Sequence, residues 1–132
     1  MQRVCFFCMA FFAASIVFPA DLELSAPNGG ENLVRGRIQM ITWRAQGVQG
    51  NVRLILLREG ERLGIIADSI AASAGSFSWT VGSYKRGATL ETAAIGGGYK
   101  IRVKAVQGTA EDASDRPFSI ADPHPVRDAK TL

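Results

Sequence analysis

The segment Tyr99-Lys100-Ile101-Arg102-Val103-Lys104-Ala105 decides the fold. Tyr99, Ile101, Val103 and Ala105 alternate with Lys100, Arg102 and Lys104. Successive side chains of an extended chain point to opposite faces, so this period of two describes a strand with one buried and one solvated face. A helix would scatter both sets around its axis. Gly96-Gly97-Gly98 before the segment and Gly108 after it are turn signals.

The same alternation recurs on both sides. Phe77, Trp79 and Val81 alternate with Ser76, Ser78 and Thr80, behind Gly75. Val52, Leu54 and Leu56 share a face, with Arg53 on the other. Ile41 and Trp43 flank Thr42, Leu22 and Leu24 alternate with Glu23 and Ser25, and Ile65-Ile66 forms a further apolar run. Downstream, Phe118 and Ile120 flank Ser119. Pro27-Asn28-Gly29-Gly30, Gly36, Gly47 to Asn51, and Glu59-Gly60-Glu61 punctuate these runs as turns. No convincing helical period is present. Seven short, half-apolar strands predict an all-β fold, an immunoglobulin-like antiparallel β-sandwich with the apolar faces between two sheets. The stretch Gly82 to Gly98 has no clear period and fits a lid, an extra hairpin or a loop.

No cysteine lies where an immunoglobulin domain carries its inter-sheet disulfide. Trp43, Trp79, Phe77 and Phe118 are expected to fill that space, because aromatic side chains bury large areas. A ligand platform is the other reading of the two tryptophans.

The chain is 132 residues with a formal charge of +3, enough for one domain and too weakly basic for a dedicated nucleic-acid binder. Its ends differ from its middle. Arg3 precedes a run from Val4 to Val17 without charge, and small residues follow, so residues 1–20 read as a secretory signal peptide. Cleavage is expected after Ala20, with Ser15 as the alternative. Retention as an anchor is the competing reading, weakened because the run is interrupted by Pro19 and Asp21. Cys5 and Cys8, in C-x-x-C spacing, fall inside the signal and would leave with it. Residues 21–121 form the expected domain, and 122–132, with Pro123 and Pro125, a flexible tail.

Catalytic chemistry lacks its components. His124 sits between two prolines of the tail, without the packing a triad histidine needs. With no cysteine in the expected mature chain, no zinc site is expected. Glu59 and Glu61 flank a turn glycine and should face water rather than each other across a cleft. Glu111, Asp112 and Asp115 crowd an expected loop, but their spacing is not that of an EF-hand. Gly96-Gly97-Gly98 leads into a strand, so it offers no helix N-terminus to an anion. No enzyme activity, metal or cofactor is therefore expected.

One surface feature suggests binding. In an immunoglobulin-like sandwich the Tyr99–Ala105 strand is F, and its sheet neighbour C carries Arg53 outward. Arg53, Lys100, Arg102 and Lys104 would then form a basic patch suited to an anionic glycan, a teichoic-acid-like polymer or a membrane surface. The plainer reading is that these charges keep an exposed sheet soluble and discourage edge pairing.

Several pieces in order resemble a known family. They are Ser25-Ala26-Pro27-Asn28-Gly29-Gly30-Glu31, Gly36, Ile41-Thr42-Trp43, Gly50-Asn51-Val52, Gly75 to Val81, Tyr99 to Val103, Ser114-Asp115 and Pro117 to Ile120. Together, over residues 22 to 121, they resemble the Kre9/Knh1-like N-terminal domain, also called the Ser-Thr-rich GPI-anchored membrane family. The resemblance implies a secreted, non-catalytic immunoglobulin-like module of the cell surface, with fungal relatives linked to assembly of cell-wall β-1,6-glucan. No Ser/Thr-rich stalk or anchor signal follows the domain here, and Gly82 to Gly98 is long, which points to a small bacterial secreted member. The expected partners are cell-wall polysaccharide or another surface protein. No nucleic acid is expected, nor a stable membrane anchor once the signal is cleaved. A structural or protein-interaction module without a glycan ligand is the alternative.

Overall fold

The structure, a computed structural model, describes residues 20–123. The expected signal segment through Pro19, with both cysteines, and the tail from His124 onward lie outside the described residues. The strands are β1 (Asp21–Ala26), β2 (Asn32–Val34), β3 (Ile38–Gln46), β4 (Asn51–Arg58), β5 (Glu61–Ala71), β6 (Ser76–Thr80), β7 (Ser83–Arg86), β8 (Thr89–Thr92), β9 (Gly96–Ala105), β10 (Glu111–Ala113) and β11 (Phe118–Ala121). A 3-10 turn, Ala72–Ala74, links β5 to β6. No helix of the described residues is long and apolar enough to cross a membrane.

Two sheets form. The smaller has the order β1-β3-β6, and the larger runs β2-β11-β9-β4-β5-β7-β8, with β10 also paired to β9. The architecture is an immunoglobulin-like β-sandwich. One pairing departs from the antiparallel expectation: β2 runs parallel to β11, with Asn32 opposite Ser119 and Val34 opposite Ala121. The chain reaches that position because β1 leaves the small sheet at Ala26 and crosses, through residues 27–31, to the edge of the large one.

Alternation explains the core. Leu22, Leu24, Ile41, Trp43 and Trp79 of the small sheet meet Val52, Leu54, Leu56, Tyr99, Ile101, Val103, Phe118 and Ile120 of the large sheet, all buried. Phe118 sits between the other two aromatic rings, edge-on to Trp79 at 6.2 Å and stacked with Tyr99 at 6.1 Å. Phe77, expected among the aromatic fillers, is only half-buried at the margin, and Tyr99 takes its place in the centre. Both tryptophans are core residues. Their indole N–H groups donate to Ala72 O at 3.0 Å and Ser83 O at 2.9 Å, which satisfies the polar end of each buried ring.

The unassigned stretch after Gly82 contains the hairpin β7–β8, which extends the large sheet past β5. Contact is close at Gly64, where a Cβ would meet the Lys85 carbonyl oxygen and lie 2.6 Å from the Tyr84 ring. Ile65 lies opposite Ile55 on the outer face, and Ile66, left unpaired at a register shift between β4 and β5, packs against the core.

Two pieces of the sequence resemblance meet in space. The Glu31 carboxylate accepts from the backbone N–H groups of Asn28 at 2.9 Å and Gly29 at 2.8 Å. The Asn28 amide donates to Asp115 Oδ2 at 3.0 Å and accepts from Asp115 N at 2.8 Å. Gly29 has φ 137°, and a Cβ there would lie 2.5 Å from Arg116 Cβ, so only glycine lets the two loops close. Beneath them Ser114, 3% exposed, accepts from Ile101 N at 3.0 Å and donates to Pro27 O at 2.8 Å. The Pro27–Glu31 and Ser114–Pro117 motifs are thus two halves of one clasp.

Candidate functional site

The basic strand reading can be placed residue by residue. β9 pairs with β4 so that Lys104 lies opposite Arg53, Arg102 opposite Ile55 and Lys100 opposite Leu57. Directly opposed residues of an antiparallel pair share a face. Arg53, Lys100, Arg102 and Lys104 therefore occupy the outer face of the large sheet together.

They are not equivalent there. Arg53 donates to Asp68 at 2.8 Å, and Lys104 lies 3.6 Å from Glu111. These exposed pairs add little to stability, but each spends a cation on a fixed partner. Lys100 and Arg102 make no salt bridge among the described residues. Between the cations the face is unexpectedly apolar. Ile55 and Leu57 point outward, yet they are 2% and 5% exposed. The β9 residues opposite them are long cations, a type of side chain that can cover apolar neighbours with its stem while keeping the charge in water.

The acidic residues separate into individual structural tasks. Glu111 and Asp112 lie on β10 rather than in the expected loop; strand pairing with Lys104 and Val103 orders them. Asp112 accepts from Leu24 N at 2.7 Å, joining the two sheets at their edge. Asp115 is held by Asn28 in the clasp. No group of three or more metal-ligating side chains occurs among the described residues. Glu59 and Glu61 are exposed at the β4–β5 turn, as expected. They border a depression of about 340 Å³ with Arg58 and Leu63. Arg58 is already committed, lying 4.8 Å above the Tyr99 ring and donating to Gly97 O at 3.1 Å. Burial pushes the Tyr99 phenol above its usual value, against the lowering effect of Arg58.

Sequence reasoning missed two cations on the same face. Arg62 lies opposite Leu57, and Lys85 opposite Ile65. Ile65 in turn lies opposite Ile55, so Arg102, Ile55, Ile65 and Lys85 form one row across four strands. Arg62 follows the β4–β5 turn and Lys85 sits in the stretch without a clear period. Neither carries a local signal of its final face.

No family model matches the chain, and no curated protein matches it. Among solved structures, the fibronectin(III)-like modules of Clostridium thermocellum CbhA are similar, with a TM-score of 0.48 and 18% sequence identity. The match covers 78% of this chain and 99% of that one.

Proposed function

We propose that this chain is a secreted, non-catalytic β-sandwich module that associates with polysaccharide at the cell surface. The observation that carries this reading is the outer face of the large sheet, where Lys100 and Arg102 stand without acidic partners beside a covered apolar strip. Cations above an apolar, poorly solvated floor attract anions more strongly than cations standing in open water. The Kre9/Knh1-like resemblance supports a surface role, and its quoted loop motifs serve the clasp rather than a ligand. Support for a non-catalytic role comes from the site chemistry. Neither histidine nor cysteine occurs among the described residues, and their carboxylates are dispersed into strand, clasp and turn.

Retention of the purified chain on neutral and anionic polysaccharide matrices, at low and high salt, tests this. Retention on anionic matrices that falls as salt rises is expected. Failure to bind any matrix at low salt would refute the reading.

A second reading rests on β8, the last strand of the large sheet. Its outer edge has no partner strand among the described residues, and Leu90 beside it is 69% exposed. An open edge can take an added strand from another protein. In that case the module joins surface proteins rather than glycans, and pull-down would recover a protein partner whose binding is lost with Thr89→Pro.

A further inference from the structure

A groove between β5 and the β7–β8 hairpin is lined by three cations that make no salt bridge among the described residues. It encloses about 340 Å³, with Arg62, Lys85 and Arg86 on its walls and Leu63 and Ile65 among its floor residues. All three cations are exposed. The salt bridges of the described residues, Glu23–Arg44, Arg53–Asp68 and Lys104–Glu111, involve none of them. No acidic side chain of the described residues lines the groove. Like charges lining one groove repel one another, and an anion seated among them would relieve that repulsion.

The groove continues the outer face already described. Register places Arg102 and Lys85 at the ends of one row, three strand spacings or ~14 Å apart. Lys100 and Arg62 end the adjacent row, two spacings or ~10 Å apart. Ile55 and Leu57 lie between them, covered. The unpaired cations thus frame a shallow track that crosses the strands and deepens at the hairpin.

We propose that this track binds a linear acidic polysaccharide, with one carboxylate seated among Arg62, Lys85 and Arg86 and further carboxylates passing over Lys100 and Arg102. The inference rests on the polysaccharide reading above and deepens it by naming the ligand class and the groove. A repeating polyanion fits cations spread in rows better than a single small anion would. Arginine can engage a carboxylate with two parallel hydrogen bonds, and Leu63 and Ile65 offer an apolar floor to the C–H face of a sugar ring. A membrane surface fits poorly, because Ile55 and Leu57 between the cations are buried and cannot insert. Single-stranded nucleic acid fits poorly as well, since Trp43, Trp79, Tyr84, Tyr99 and Phe118 are all buried and leave no stacking platform on this face.

The test compares two double variants of the full chain with equal nominal loss of charge. Arg62→Gln/Lys85→Gln removes groove cations, while Arg53→Gln/Lys104→Gln removes cations already paired with acids. The probe is soluble polygalacturonate, with uncharged dextran and phosphatidylglycerol vesicles as comparisons, at fixed low salt. Thermal unfolding of both variants near the wild-type temperature establishes that each is folded. The groove variant should lose about tenfold or more in polygalacturonate affinity, the scale of a lost charge-assisted contact, and the paired-cation variant less than about threefold. Dextran should not bind. Equal losses in the two variants would overturn the groove while leaving a diffuse polysaccharide attraction intact. Tighter binding to the vesicles than to polygalacturonate would overturn the ligand class. Absence of wild-type binding to polygalacturonate would overturn the groove proposal, and absence from every polysaccharide would overturn the broader reading with it.

Discussion

Replacing Ser114 with alanine should cost far more than a typical serine deletion. The hydroxyl satisfies two main-chain groups at once: Ile101 N donates to it at 3.0 Å, and it donates to Pro27 O at 2.8 Å. Ile101 is fully buried, Pro27 is among the fully buried side chains, and Ser114 is 3% exposed. Alanine would leave an N–H and a C=O without partners where water has little access. Each orphaned group costs ~1–3 kcal/mol, so Ser114→Ala should lose ~3 kcal/mol once some relaxation is allowed. For a domain of this size that corresponds to a fall in melting temperature of ~12–20 °C. The assay is urea unfolding of the full chain followed by tryptophan fluorescence, which reports on the buried Trp43 and Trp79. Ser83→Ala is the matched control. Its hydroxyl donates to Thr80 O at 2.9 Å in an exposed setting, so its loss should stay within ~0.5 kcal/mol. If Ser114→Ala lay within that same range with an unchanged denaturant slope, the clasp would not be an energetic junction between the loops and the core.

Gly64→Ala should destabilise by ~2 kcal/mol, because the new methyl meets the Lys85 carbonyl and the Tyr84 ring. Hydrogen exchange should rise selectively in β7 and β8, and a uniform rise would contradict the close docking of that hairpin. Glu59→Asn should stabilise by ~0.5–1 kcal/mol, since Glu59 holds φ 50° before Gly60 and asparagine adopts that geometry at lower cost; an unmoved or lower urea midpoint would refute it. Alkaline pH should weaken the fold through Tyr99. Burial raises its pKa above the ordinary value of 10.0, so folding favours the neutral phenol. That contribution is complete below the unfolded value and is lost as pH rises through the folded one. Tyr99→Phe should flatten this alkaline dependence, and an identical slope in both proteins would show that other groups cause it.

The alternation at Tyr99–Ala105 was enough to read the central strand, its buried face and its outward cations. The pairing of that strand with β4 followed from the sandwich alone, and the register within it sets Arg53 opposite Lys104. Three things escaped local reading. Ile55 and Leu57 break the rule that outward residues are polar, yet both are buried, and the cations opposite them come from a strand distant in sequence. Arg62 and Lys85 join the basic face only through the register of β5 with β4 and of β7 with β5, which the shifted pairing of β5 hides from any count of periods. Asp112 looked like a member of an acidic loop, whereas its work is to accept from Leu24 N, a residue 88 positions away. Short-range pattern encodes strands and faces, while the neutralisation of a charge is decided by contacts across the sheets.

The parallel pairing of β2 with β11 has a mechanical meaning. These two strands run in one direction, so the described chain enters the large sheet at Asn32 and leaves it near Ala121 with the same heading. Tension applied between Asp21 and Ala121 would load the β2–β11 contacts along the strand axis. The bonds from Ser119 N to Glu31 O and from Arg35 N to Ala121 O, both 2.9 Å, would then strain together rather than break in succession. A strand arrangement loaded in shear resists pulling better than a sheet peeled open from its end, so the β2–β11 contacts would oppose such tension as one unit.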